Sequence, residues 1–387
     1  MPVGVLVESF LRRGGVFPGG SEIYNLELAR LGRDLGAEIR IYQPGQNAVE
    51  EEVEGIRVVT VPCRPVDISR AGAARAVRDG CGSVHFPHPA RARMLPGRRV
   101  TSMFHGVDWD VPYDPDCSAW YPFGRGARFY LPLWRRRQLV ATLRGLQRCH
   151  QVLCGDTALL HIVQGLLPEL RSRIYYCPNF ASLPEGPSDR AEPLHAARSD
   201  GKVVVLVPRN LSLARGGAWL RQIAERVDDA MDGACALFVA GGFPDTYGRQ
   251  HVYKRLWGGA GVPRTLQVLG VVSHEEMSAL YRATDIVLIP TFFCEGGSLS
   301  AIEAMWCGIP VVATAVGGLS DLVTDGTTGR LCLPEVGEIA KSVVDLASDP
   351  VLRRRMGRQA RVEAHRRYAP AAWRQRMVPW LRMNAWI

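Results

Sequence analysis

The sequence predicts two doubly wound α/β domains in tandem. Three observations carry that reading. The chain has 387 residues, more than one ordinary domain holds. Short β-branched or apolar runs alternate with segments of helical period along its whole length, which is the pattern of parallel sheets covered by helices. A polar, proline-rich break, ASLPEGPSDRAEPLHAARSDG at 181–201, separates two such series. The expected division is a first domain over 1–185, a linker over 186–200, a second domain over 201–368 and a closing helix over 369–387.

In the first series, VGVLVE (3–8) reads as a strand. A helix follows over 21–36, with Ile23, Leu26, Ala29 and Leu31 near helical spacing and Ser21 placed to cap it. Further strands are expected at 37–43, 56–62, 84–88, 100–105, 151–155 and 174–178. The second series opens with KVVVLVP (202–208), apolar throughout, as a central parallel strand should be. Strands at 234–240, 266–269, 285–290, 309–313 and 330–333 alternate with helices, and PAAWRQRMVPWLRM (370–383) closes the chain as a helix. Ligands of such sheets bind beyond the carboxyl ends of the strands.

Composition excludes several classes. The hydrophobic fraction is 47% and mean hydropathy is −0.03, values of a globular chain with full cores. No apolar run approaches the roughly 18 residues of a membrane span. The start of the chain lacks the basic residues and long apolar stretch of an export signal, so a cytoplasmic location is expected. Ten cysteines stand singly with no CxxC pair, which argues for reduced thiols rather than disulfides or zinc. Net charge is +9, and only Lys202, Lys254 and Lys341 are lysines. A basic surface favours anionic partners, but no zinc-finger spacing or RNP-like aromatic motif marks a nucleic-acid reader. DWD (108–110) and DPD (114–116) imitate metal-binding carboxylate pairs, but they sit in a proline-rich loop and read as loop or acceptor contacts. No metal and no cofactor are expected. The Arg-rich, aromatic segment 123–148 fits a membrane surface or an anionic acceptor, against the plainer reading of a solvated helix.

The stretch CEGGSLSAIEAMWCGIPVVA (294–313) holds Glu295 and Glu303 eight positions apart. Glu295 falls in the loop after the strand DIVLIP (285–290), and Glu303 falls inside the helix that follows. Between them Gly296, Gly297, Ser298 and Leu299 present the helix's first backbone amides, a place that favours anions. A carboxylate, an anion-binding turn and a second carboxylate match the sugar, diphosphate and ribose of a nucleotide-sugar. Two glutamates near a helix are more often merely solvated, but the glycines and the strand context weigh against that here.

With EAMWCGIPVVATAVGG (303–318) after the first glutamate, the stretch resembles the E-x7-E signature of the retaining glycosyltransferases of family 4. The resemblance extends weakly to PGGSE (18–22), SMFHG (102–106), CPN (177–179), the segment 268–291 and DGTTGRL (325–331). It implies the two-domain GT-B fold, with the 370–387 helix crossing back to the N-terminal, acceptor-binding domain. It assigns Glu295 to the donor sugar and Glu303 to the ribose hydroxyls. It places Gly19 and Gly20 in a loop whose backbone borders the diphosphate and acceptor, and His105 beside the donor sugar. The family also sets an arginine and a lysine five apart against the diphosphate. In PRNLSLARGG (208–217) Arg215 fills the lysine slot, Asn210 stands where the arginine is expected, and Arg209 is its neighbour. Arginine binds phosphate well, so the chemistry survives at Arg215.

The implied activity is transfer of a glycosyl group from a nucleoside-diphosphate sugar, UDP- or GDP-linked, to an acceptor hydroxyl, with retention and without a metal. Two rivals share the fold: a nucleotide-sugar 2-epimerase, and a non-catalytic sugar-nucleotide binder. The base, the sugar, the acceptor and the oligomeric state are not encoded in any motif of the chain.

Overall fold

Val3–Leu6 (β1) is a run of four fully buried residues, a pattern that needs a sheet covered on both faces. It pairs in parallel with Ile39–Gly45 (β4) on one side and Ser83–Phe86 (β7) on the other. Leu11–Arg12 (β2) and Gly15–Val16 (β3) form a separate antiparallel pair. The sheet continues through Ile56–Pro62 (β6), Arg99–Phe104 (β8), Gln151–Cys154 (β9) and Ile174–Tyr176 (β10), all parallel. Val49–Val53 (β5) closes one edge antiparallel to β6. The order is β10-β9-β8-β7-β1-β4-β6-β5; both neighbours of β1 come later in the chain, one on each side, so the winding changes direction there.

The second sheet has Val203–Val207 (β11), Cys235–Ala240 (β12), Leu266–Gly270 (β13), Ile286–Ile289 (β14), Val311–Thr314 (β15) and Gly329–Cys332 (β16). All pair in parallel in the order β13-β12-β11-β14-β15-β16. Its winding turns between β11 and β14, so the loops leaving those two strands diverge and open a crevice.

This computed structural model describes the chain except residues 9, 13–14, 17–18, 108–117, 122, 244–250, 252–253, 255–256, 258–262 and 264, and except the side chains of 11–12 and 15–16. Contacts divide it into two compact units: Met1–Trp109, Arg136–Asn179 and Pro370–Ile387 in the first, Asp110–Arg135 and Phe180–Ala369 in the second. In the first unit the helix Pro370–Met383 buries Trp373, Met377, Trp380 and Leu381. Trp373 meets Tyr24 edge-on at 5.6 Å and Trp380 meets His85 edge-on at 5.9 Å.

Several expectations need correction. The stretch read as a linker is structured: a 3-10 turn (Asp189–Ala191) leads into the helix Glu192–Ser199. A proline in the first turn is compatible with helix, and Ala191, Leu194 and Ala197, three apart, enter the second unit's core. Residues 110–135 fall in the second unit rather than the first, because Trp120, Tyr121, Ala127 and Leu131 pack into its core. The first helix, Gly20–Asp34, is preceded by Gly19 with no side-chain cap; Ser21 Oγ donates instead to Glu22 at 2.9 Å. DWD and DPD lie outside the described residues. Among the described residues no helix is long and apolar enough to cross a membrane.

Candidate active site

The two loops at the winding turn of the second unit carry Arg209, just past β11, and Glu295, just past β14. Both are buried, at 5% and 8% exposure. Arg209 grips Glu295 with two prongs: Nη1 donates to Oε1 at 2.6 Å and Nη2 donates to Oε2. Nη2 also donates to Ser298 Oγ at 2.9 Å, and Thr291 Oγ1 donates to Glu295 Oε2 at 3.0 Å. Burial pushes the Glu295 carboxyl up, but the charges of Arg209 and Arg215 and the hydrogen bonds from Arg209 and Thr291 outweigh it and hold it below the ordinary carboxylate value. Arg215 is depressed by its own desolvation and by the Arg209 charge, with Glu295 acting the other way. One carboxylate therefore faces two guanidinium groups, and the cluster retains positive charge for an anion.

Glycines let neighbouring loops close on this pair. Gly317 has φ +52, and a Cβ there would lie 2.3 Å from the Glu295 carbonyl oxygen. Its successor Gly318 donates its amide to that same oxygen at 2.7 Å. Gly241, beyond β12, is as tight: a Cβ would meet the Arg209 carbonyl oxygen at 2.0 Å. Asn210 is exposed and accepts from the Gly242 amide at 3.1 Å. Its side chain thus braces a loop, while Arg209 supplies the charge; Asn210 does not enter the Glu295 cluster.

Ser298 starts the helix Leu299–Trp306, its Oγ accepting from the Ala301 amide. Gly296 is buried and Gly297 and Leu299 half-buried at this helix start. Glu303 lies one turn further along, 4% exposed. His274 Nε2 stands 3.0 Å from its Oε1, and Tyr281 donates its hydroxyl to Oε2 at 3.1 Å. Burial pulls His274 down, but the hydrogen bond and charge of Glu303 lift it above the ordinary histidine value. Both partners ride one helix, His274–Arg282, whose capping box is formed by Ser273 and Glu276. Sequence reasoning singled out neither. They stand 29 and 22 positions from Glu303; the readable signal was their shared helix face, seven positions apart beside a buried carboxylate.

In the first unit, His105 follows β8 and sits edge-on to Tyr24 at 5.4 Å. Burial, and secondarily the His88 charge, pull it down to about 4, so it is neutral near pH 7. Gly19 is half-buried and Gly20 exposed at the helix start. At the carboxyl ends of β1 and β7 a cleft of about 510 Å³ is lined by Glu8, Glu22, Asn25, His88, Arg91 and Gln138. Arg91 pairs with Glu8 at 3.2 Å. The Asn25 side-chain carbonyl is buried beside this cleft and accepts no hydrogen bond in the structure.

Residues 193–363 match the family described as glycosyl transferases group 1. A D-inositol 3-phosphate glycosyltransferase of Kribbella flavida is 33% identical over 182 residues, covering 45% of this chain and 42% of that protein. The chain thus matches less than half the length of that curated relative. Among solved structures, a sucrose-phosphate synthase from Thermosynechococcus elongatus superposes with a TM-score of 0.78 at 18% identity, over 99% of this chain and 98% of the other. The Anabaena protein HepE in complex with UDP and glucose superposes with a TM-score of 0.72 at 18% identity, over 99% and 100%. These likenesses establish the fold along the chain, and the family match covers most of the second unit. Residues 193–363 thus match the group 1 glycosyl transferases, and the chain as a whole has the GT-B fold.

Proposed function

We propose that the protein is a retaining glycosyltransferase. It moves a sugar from a nucleoside-diphosphate sugar, UDP- or GDP-linked, to a hydroxyl of a small-molecule, glycan or lipid acceptor. The observation that carries this reading is the pair of buried carboxylates, one on each side of a helix start, each oriented by fixed partners. Glu303, held by His274 and Tyr281, accepts from the ribose hydroxyls. Glu295 contacts the sugar. Arg215 and Arg209 face the diphosphate, with the amides near Gly297 and Leu299. His105, neutral, contacts the sugar with its ring, and the backbone at Gly19 and Gly20 borders the diphosphate. The UDP and glucose bound to the HepE structure support a nucleotide-sugar donor. The reaction runs in the cytoplasm.

Chemically, the C1–O bond to the diphosphate breaks and leaves an oxocarbenium-like centre. The arginines stabilise the charge that accumulates on the leaving group. The acceptor oxygen then bonds to C1 on the same face and its proton passes to the departing phosphate, which gives retention without an enzyme nucleophile. Two guanidinium groups and a helix start take the part a divalent ion would play. The cleft in the first unit, with Asn25 and Glu22, receives the acceptor.

Calorimetric titration with UDP and GDP, combined with single-turnover transfer, tests this. Glu303→Gln is expected to weaken the bare nucleoside diphosphate and the full donor alike. Glu295→Ala is expected to spare the diphosphate and damage turnover. Arg215→Ala is expected to weaken the diphosphate and slow transfer about a hundredfold, roughly 3 kcal/mol. Activity is expected to persist in excess chelator. Unchanged diphosphate affinity in Glu303→Gln, or loss in chelator restored by Mn²⁺, overturns the assignment.

A further inference from the structure

The helix Ala127–Arg148 leaves one stripe outside the core. Arg128, Phe129, Leu133, Arg136 and Arg137, at three- and four-residue spacing, are exposed, while Ala127 and Leu131 on the other side are buried. Phe129 is 73% exposed and Leu133 60%, and Phe123, just before the helix, is 80% exposed. Isolated apolar side chains on a surface need no explanation, but large ones lined up on one helix face do. Phe129 and Leu133 stand one turn apart, with the Arg128 guanidinium 4.5 Å from the Phe129 ring centre.

Along the chain, the charge on either side of them is of one sign. From Cys117 to Gly155 the sequence has no Asp or Glu and seven arginines, a formal +7 against +9 for the whole chain. Most of the protein's net charge is therefore concentrated in this one segment. A second copy of the chain is a poor occupant, since a two-fold contact would set the arginines against themselves. A nucleic-acid backbone would answer the arginines and leave Phe129 and Leu133 facing phosphates. A lipid surface answers both, because anionic headgroups lie over an acyl layer.

We propose that this face docks the protein on anionic phospholipid. Arg128, Arg136 and Arg137 lie at the headgroups, and Phe129, Leu133 and Phe123 enter the boundary of the acyl layer. The proposal stands independently of the donor-site assignments.

The test is co-sedimentation of the full chain with vesicles of phosphatidylcholine alone and of phosphatidylcholine with phosphatidylglycerol, at low and high salt. Binding is expected to the mixed vesicles only, falling as salt rises. The double variant Phe129→Ser with Leu133→Ser is expected to reduce partitioning tenfold or more. The triple variant Arg128→Gln, Arg136→Gln and Arg137→Gln is expected to reduce it similarly and flatten the salt dependence. Unchanged melting temperature and far-UV circular dichroism in each variant show that the fold is intact. Equal binding to neutral vesicles, no binding to anionic ones, or full binding by either variant overturns the proposal. So does displacement from the vesicles by duplex RNA, or a wild-type dimer that the Phe129 and Leu133 variant dissolves.

Discussion

The two ends of the Glu295–Glu303 stretch solve one physical problem in different ways. Each buries a carboxylate. At Glu295 the counter-charge is Arg209, a permanent cation bound through two prongs. At Glu303 the partners are His274, which titrates, and Tyr281, which is neutral. A permanent cation fixes the charge of its end over the whole accessible pH range. The histidine end has no such guarantee. The difference implies that the Glu295 end is built to stay charged, while the hold on Glu303 weakens as pH rises through the His274 value.

The largest test removes the permanent cation. Arg209→Ala leaves buried Glu295 without its two guanidinium hydrogen bonds, with only the Arg215 charge nearby, and is expected to cost about 3 kcal/mol of stability in urea denaturation. Adding Glu295→Ala to it is expected to recover part of that loss, because the under-bonded carboxylate is then gone. If Arg209→Ala costs no more than His274→Ala, the contrast between the two ends fails.

The pH dependence sharpens the comparison. Glu295 is depressed, so its contribution is present above its unfolded value and lost as pH falls through its folded value. His274 is raised above 6.5, so its contribution is complete below that value and lost as pH rises through the folded one. As pH rises from 6.5 through the folded value of His274, the wild type is expected to lose stability through this group. His274→Gln should show a correspondingly flatter profile over that range. The same slope in both proteins removes His274 from the account.

The smallest expected effect belongs to Tyr281→Phe, which deletes one hydrogen bond to Glu303. It is expected to cost about 1 kcal/mol of stability and to weaken UDP several-fold by calorimetry. A loss as large as that of Arg209→Ala would mean that the tyrosine, not the ion pair, dominates.

Much of this was legible because buried parallel strands need continuous apolar runs. VVVLV and IVLI announce themselves as such strands, and the loops after them announce the crevice. What escaped did so for physical reasons. Val49–Val53 is VEEEV, an exposed antiparallel edge strand whose charges mask its backbone role. Glu192–Ser199 hides two core contacts among prolines and polar residues. In the site, the neighbours of Glu295 and Glu303 along the chain could be read, but the partners that hold them could not. Arg209 lies 86 positions from Glu295, and only the sheet order brings them together. The choice between Arg209 and Asn210 turned on which side chain points inward from a loop, a matter of one residue's backbone direction.

The division of the chain between its units has a consequence for its synthesis. The first unit needs Pro370–Ile387, and Trp373, Trp380 and Trp386 are buried in it. Domains usually complete in the order they leave the ribosome. Here the unit begun first is finished last. While the second unit already has all its residues, the first sheet waits with an uncovered apolar face for Trp373, Trp380 and Trp386. The nascent chain thus stays open to misassembly of its first unit until residues 370–387 have been made.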